Sequence, residues 1–159
     1  MHRRSGLLLY CFLRLSTLAP VVLAVQASGV MADTAYIPDT GDAWIDRRLD
    51  DINAYAWRYG GSFLDELNRY GGMPPDYAGA LMRNHRWMPG DVYFAAMLAA
   101  ELDLSYREVV RERSRHRGKS WGDIVDRLAD ARANDCLREI RQRIRASYRH
   151  WARPLDAPD

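Results

Sequence analysis

Two histidines and one aspartate are the residues of this chain whose types suit acid–base catalysis. His85 and Asp91 lie close together in sequence, and His116 lies further along the chain. A histidine that exchanges protons beside a carboxylate would suit a small hydrolase, provided that folding brings them within hydrogen-bond reach. The serines offer no nucleophile, because helix capping explains their positions. We therefore expect no catalytic site, and a small hydrolase-like enzyme that uses His85, Asp91 and His116 stands as the alternative.

The sequence predicts no metal site and no cofactor. Neither His85 nor His116 lies three or four residues from a second histidine or a cysteine, which is a common ligand spacing. Gly118-Lys119-Ser120 invites comparison with a phosphate-binding loop, but that motif needs a glycine where Arg113 stands and a strand before it. The adjacent acids Asp65-Glu66 diverge around a helix and indicate a solvated face.

Arginines supply the best candidate for a binding surface. Four of them step by three or four residues along the last predicted helix and so form a stripe on one face: Arg138, Arg141, Arg145 and Arg149. Such a stripe suits an anionic component of the cell envelope or the acidic surface of an unknown protein partner. A groove between the fourth predicted helix and its neighbours is the other candidate surface.

The first 32 residues have the layout of an export signal. Basic residues precede an apolar stretch, and the candidate cleavage positions follow Ala27 and Ala32. The uncharged run from Leu15 to Val25 is shorter than the roughly 20 residues of a membrane span, so we expect no span in the mature form. The sequence thus predicts a periplasmic or secreted protein that does not bind nucleic acid. If the leader is not a real signal, the fifth and sixth predicted helices favour a helix-turn-helix-like nucleic-acid binder.

Apolar spacing predicts an all-α protein, a compact bundle of about six to seven short helices after the signal peptide. The signal peptide covers 1–32, a flexible segment 33–41, a single helical domain 42–153 and a C-terminal tail 154–159. The predicted helices cover about 42–59, Ser62 to Gly71 with Ser62 as the cap, about 75–86, a fourth from Pro89, a fifth from Ser105, a sixth from Ser120 and a seventh at about 135–152. The fourth is apolar nearly all round, which predicts a central position. The pattern leaves open whether the seventh packs back or projects, and it leaves the oligomeric state open.

Two segments form a motif, because each has the punctuation of a helix start. The first contains Trp87, Pro89, Gly90 and Asp91, and the second contains Gly118, Trp121 and Gly122. The tryptophan rings suit the closing of a core, and Gly90 and Gly122 let neighbouring backbone approach. This interpretation makes the motif structural.

Over roughly residues 68–128, this motif resembles that of a group of small exported helical proteins from Gram-negative bacteria. The resemblance implies an exported helical domain and implies no particular reaction. After Arg127-Leu128 the chain departs from the group's pattern, because it continues into an arginine-rich helix where relatives show a Gly-Ile turn. The lack of a catalytic set in the sequence favours a non-enzymatic binding or interaction module.

Overall fold

The computed structural model describes residues 36–155. Within this range the chain is helical and contains no strand, which confirms the all-α prediction. The helices are α1 (Ala43–Arg58), α2 (Gly60–Gly71), α3 (Pro75–His85), α4 (Pro89–Leu102), α5 (Tyr106–Arg115), α6 (Trp121–Ala129) and α7 (Ala133–His150), with a 3₁₀ turn at Asp130–Arg132. The signal peptide predicted at 1–32 and both of its cleavage positions lie outside the described residues.

Helix α4 lies at the centre of the bundle. Every residue from Val92 to Ala99 is buried, and α4 contacts α1, α2, α5 and α7. Small side chains let α2 and α4 pack closely, because a Cβ added to Gly71 of α2 would lie only 2.7 Å from the Cβ of Ala96 in α4. The central position predicted for the fourth helix follows from the absence of a polar face on α4.

Local capping explains how α5 and α6 begin. The hydroxyl of Ser105 accepts from the amide of Glu108, and the hydroxyl of Ser120 accepts from the amide of Asp123. In both pairs the acidic side chain accepts from the amide of the serine in return, so two exposed amides are satisfied reciprocally. The starts predicted for α5 and α6 are therefore confirmed.

The start predicted for the second helix was wrong. Helix α2 begins at Gly60 with Tyr59 as its N-cap residue, so Ser62 lies inside the first turn and caps nothing. The chain changes direction at Tyr59 alone, where φ is −128° and ψ is 49°. The two glycines that follow then adopt helical geometry, and they open the second helix instead of only ending the first.

Helix α7 packs back onto the bundle. Its buried side carries Cys136, Ile140, Ile144 and Tyr148, and it contacts α4. The hydroxyl of Tyr148 also donates to Asp51 of α1. Among the described residues, no helix combines the length and the apolar run that crossing a membrane requires.

Residues 36–41 belong to the segment predicted as flexible, but they are held against the helices. Thr40 is fully buried, and its hydroxyl donates to Asp46 at 2.6 Å. The amides of Trp121 and Gly122 donate to carbonyl oxygens of this segment, at Pro38 and Asp39. The first amides of a helix have no partner within the helix, so this part of the chain supplies acceptors to the start of α6.

Candidate functional site

The two halves of the motif meet at the carboxylate of Asp91, in the first turn of α4. The indole Nε1 of Trp121 donates to its Oδ1 at 2.7 Å, and the hydroxyl of Tyr36 donates to the same oxygen at 3.0 Å. Burial, together with the charge of Asp91, raises the pKa of Tyr36 well above its ordinary range, so this hydroxyl remains a donor. Asp91 therefore ties α6 and the residues before α1 to the start of α4.

Aromatic rings surround this junction. Trp121 is fully buried, and its ring packs edge-to-face against Phe94 with centroids 5.0 Å apart. The ring of Trp87 meets Trp121 edge-on at 6.1 Å. Edge-to-face packing at these distances is the favourable geometry for aromatic pairs, so the rings hold the junction in one arrangement.

Gly90 lies where no side chain fits. Its amide donates to Oδ1 of Asn53 in α1 at 2.7 Å, and this contact replaces the side-chain cap that Met88 does not supply. A Cβ on Gly90 would lie 2.7 Å from the carbonyl oxygen of Leu49. The other motif glycines have more room: a Cβ on Gly122 would lie 3.4 Å from the backbone of Thr40, and one on Gly118 would meet nothing within 4 Å.

A cleft of about 150 Å³ opens beside Asp91. We call it the motif cleft, and its lining residues are His85, Arg86, Trp87, Asp91, Arg113, Ser114 and Arg117. Three guanidinium groups thus share the cleft with one carboxylate, and that carboxylate already accepts two hydrogen bonds. The lining is cationic, so the cleft suits a small anionic group.

The three arginines of the motif cleft are held differently. Nη1 of Arg113 donates to the carbonyl oxygen of Lys119 at 2.7 Å, and its guanidinium lies 5.1 Å from the ring centroid of Trp121. Arg86 ends α3 in the left-handed conformation, with φ of 56°. Arg86 and Arg117 are exposed, and within residues 36–155 neither forms an ion pair. Arg113 is therefore fixed in place, while the guanidinium N–H groups of Arg86 and Arg117 remain available to a ligand.

The structure does not assemble the three residues of the hydrolase alternative. His85 and Asp91 both line the motif cleft, but the hydrogen bonds of Asp91 come from Tyr36 and Trp121. His116 lies elsewhere, with Nε2 3.2 Å from Oε1 of Glu112. Within the described residues, the structure therefore does not bring His85, Asp91 and His116 into hydrogen-bond contact with one another.

The arginine stripe lies on α7, and some of its members have partners within the protein. Arg138 pairs with Asp135 at 2.9 Å, and the guanidinium of Arg141 binds both carboxylate oxygens of Asp42, at 2.5 and 2.7 Å. The guanidinium of Arg145 lies 4.9 Å from the ring centroid of Trp44. Arg149 is exposed, and it pairs with no acid in the described part of the chain. The stripe therefore contributes to the docking of α7 against the start of α1.

The sequence interpretation missed a buried polar cluster. Glu66 was expected on a solvated face, but it is only 5% exposed, so that expectation was wrong. Its carboxylate accepts from Oγ of Ser147 at 2.6 Å and lies 3.0 Å from Nδ1 of His150. Ser147 also contacts the hydroxyl of Tyr93 at 2.7 Å. The burial of Glu66 could have been predicted from its spacing, because Glu66 lies three residues after Phe63 and so shares the apolar side of α2.

No protein-family model matches this chain, and no curated protein or solved structure matches it either. The resemblance of the motif to that of small exported helical proteins stays a prediction.

Proposed function

We propose that this protein is an exported, non-enzymatic binding domain that holds an anionic group of its partner in the motif cleft. The observation that carries the proposal is the lining of that cleft, where Arg86, Arg113 and Arg117 surround a carboxylate that Tyr36 and Trp121 already engage. Both of these hydrogen bonds fall on Oδ1 of Asp91, and the three guanidinium groups outnumber this single carboxylate in the cleft. The N–H donors of Arg86 and Arg117 are the groups that remain for recognition, because Arg113 already donates to the carbonyl oxygen of Lys119.

The size of the cleft limits what it holds. A volume of about 150 Å³ suits one phosphate or carboxylate group. Hydrogen bonds to a charged group contribute about 1.5–3 kcal/mol each. Because the cleft opens to water, we expect its affinity to fall as the salt concentration rises. An anionic envelope component and an acidic protein surface both carry such groups.

The same geometry supports binding without turnover. Within residues 36–155 no carboxylate forms a hydrogen bond with His85, and His116 lies outside the cleft beside Glu112. A general base needs a position within reach of its proton and a partner that fixes its ring. These contacts favour an interaction module over the hydrolase alternative.

The binding test is a titration of the protein with inorganic phosphate, followed by heteronuclear NMR at low and at high salt. We expect saturable shifts at Trp87 and at the amides around residues 113–117. Arg117→Gln should weaken the binding several-fold. Arg149→Gln is the matched control, because Arg149 is also exposed and unpaired within the described residues, and it should leave the affinity unchanged.

Two results would refute the binding part of the proposal. One is the absence of saturable shifts. The other is an equal loss of affinity in Arg117→Gln and Arg149→Gln, which would mean that phosphate only responds to the overall charge of the protein.

The export part has a separate test, which is cell fractionation with N-terminal sequencing of the accumulated protein. We expect a periplasmic or secreted protein that begins at Ser28 or Asp33. A cytoplasmic protein that retains Met1 would contradict export, and binding to DNA that weakens steeply with salt would then support the nucleic-acid alternative.

A further inference from the structure

A groove runs along α2 and the end of α7, away from the motif cleft. It consists of three adjoining cavities, of about 360, 430 and 230 Å³. Ser62 and Trp151 line both of the first two cavities, while Glu66, Tyr70 and His150 line both the first and the third. Because they share lining residues, the three cavities are neighbours on one side of the protein, and we call them together the aromatic groove.

Aromatic rings form much of this groove, and other rings fix their positions. The ring of Tyr55 stacks on Trp151 with centroids 4.2 Å apart and also contacts Tyr59 at 5.1 Å. Tyr70 stacks on the ring of His150 at 4.4 Å. Tyr59 and Tyr70 nevertheless remain 46% and 40% exposed. The groove thus presents flat apolar surfaces whose orientation is set before any ligand arrives.

Polar side chains alternate with the rings. Glu66 lies at the meeting point of two cavities, where Ser147 and His150 hold its carboxylate. Asp65 and Arg69 stand beside it on the exposed side of α2. A carboxylate only accepts hydrogen bonds and a guanidinium only donates them, so the groove offers both kinds of partner within one cavity.

The charges of the groove disfavour a strongly charged ligand of either sign. The acids Asp65 and Glu66 would repel an anion that Arg69 attracts, and Arg69 would repel a cation that the acids attract, so the cavity favours neither sign of charge. Two further arginines of the groove already pair with acids, Arg143 with Glu101 at 3.0 Å and Arg153 with Asp51. A neutral ligand that both donates and accepts hydrogen bonds avoids these penalties.

We propose that the aromatic groove binds a neutral oligosaccharide. The C–H face of a sugar ring lies flat on an exposed aromatic ring, as Tyr59 and Tyr70 present it. Each sugar hydroxyl donates and accepts, so one hydroxyl pairs with Asp65 while its neighbour pairs with Arg69. A groove of adjoining cavities accommodates a chain of sugar units better than a single one.

An extended peptide fits this groove less well. Peptides that bind by adding a strand need a free strand edge, and the residues from 36 to 155 contain no strand. The amides of the two helices that border the groove serve the helices themselves. The polar partners in the groove are side chains, which suit the hydroxyls of a sugar, and a peptide would gain no strand-to-strand pairing there.

The experiment titrates the protein with chitotriose and with maltotriose, two neutral trisaccharides, and follows binding by calorimetry and NMR. We expect saturable binding of at least one of them. Tyr70→Ala should weaken it about ten-fold, because stacking on one ring contributes on the order of 1–1.5 kcal/mol. Tyr70→Phe keeps the ring and should retain the affinity. Since Tyr70 is substantially exposed, its removal should leave the thermal unfolding midpoint nearly unchanged.

Trp57→Ala is the matched control. Trp57 is 70% exposed near the end of α1 and lines none of the three cavities. Its removal should leave trisaccharide binding unchanged, and Arg117→Gln in the motif cleft should leave it unchanged as well. The proposal is overturned if neither trisaccharide binds, if Trp57→Ala loses as much affinity as Tyr70→Ala, or if a proline-rich peptide saturates the groove and displaces the sugar.

Discussion

The indole of Trp121 donates to the carboxylate of Asp91 at 2.7 Å, although the two residues stand 30 positions apart in the sequence. Tyr36 donates to the same oxygen from a third segment of the chain. The start of α6, the start of α4 and the residues before α1 therefore depend on one acceptor. This shared acceptor gives a physical reason for finding an aspartate and a distant tryptophan in one motif.

Removing that acceptor should destabilise the fold. In Asp91→Ala, the donors of Tyr36 and Trp121 lose their partner, and an unsatisfied buried polar group costs about 1–3 kcal/mol. We expect the free energy of unfolding to fall by about 2–4 kcal/mol in a urea titration, since two donors are affected. Asp91→Asn keeps an acceptor oxygen and should lose only about 1 kcal/mol. Equal losses of stability in the two variants would contradict this account. Asp126→Ala is the control, because Asp126 is exposed and its removal should change stability little.

Two of the three motif glycines, Gly90 and Gly122, should respond differently to the same substitution. Gly90→Ala places a methyl group 2.7 Å from the carbonyl oxygen of Leu49 and 2.9 Å from the hydroxyl of Tyr36. Overpacking of this kind costs about 1–3 kcal/mol, which thermal or urea unfolding will detect. Gly122→Ala meets its nearest neighbour at 3.4 Å, an ordinary contact, and should change stability little. A larger loss in Gly122→Ala than in Gly90→Ala would show that these close approaches do not decide stability.

Two arginines of the stripe should also differ. Arg141 holds Asp42, whose Oδ1 also accepts the amides of Trp44 and Ile45 as the cap of α1. Arg141 is partly exposed, so water screens the pair, and Arg141→Gln should cost about 1 kcal/mol. Arg149→Gln breaks no pair within the described residues and should stay within about 0.5 kcal/mol of the wild type. Urea unfolding of the two variants side by side is the measurement, and equal stabilities would argue against a docking role for Arg141.

Cys136 should make the protein sensitive to alkaline pH. Burial, with a contribution from Glu101, raises the pKa of its thiol from 9.0 to about 11. The folded protein then keeps a proton that the unfolded chain releases, so this stabilisation is complete below pH 9 and is lost as the pH rises through about 11. Burial raises the pKa of Tyr93 and Tyr148 in the same direction.

The free energy of unfolding should therefore fall as the pH rises from 9, and the native thiol should react slowly with alkylating reagents at pH 8. Cys136→Ala should reduce the slope of stability against pH. A flat profile up to pH 11, or a native thiol that reacts as fast as the unfolded one, would contradict the burial of this group.

Much of the helical framework could be predicted from the sequence, because the signals are local. Ser105 and Ser120 each stand three residues before an acid that completes the helix cap. The apolar run of α4 predicts its burial even when the helices that surround it are not known. The seventh helix was predicted at about 135–152 and spans Ala133–His150. Helix ends depend on caps and glycines within a few residues of the chain.

The sites depended on contacts that no local pattern reveals. No sequence pattern connects Tyr36 with Asp91, Asn53 with Gly90 or Glu66 with Ser147, because each of these hydrogen bonds joins different elements. The sequence also grouped arginines by their spacing along α7, whereas the motif cleft gathers Arg86 and Arg117 from the ends of two other helices.

Amino-acid order alone determined that this chain forms helices, where most of them begin and which helix is surrounded by the others, because hydrogen bonding and apolar spacing act over a few residues. Only the tertiary structure decided which carboxylates already accept hydrogen bonds and which guanidinium groups of the motif cleft keep available donors. The reason is that the partners of a side chain depend on how whole helices pack. Asp91 is the clearest case: its position in the motif is local information, but its two donors come from residues 55 and 30 positions away.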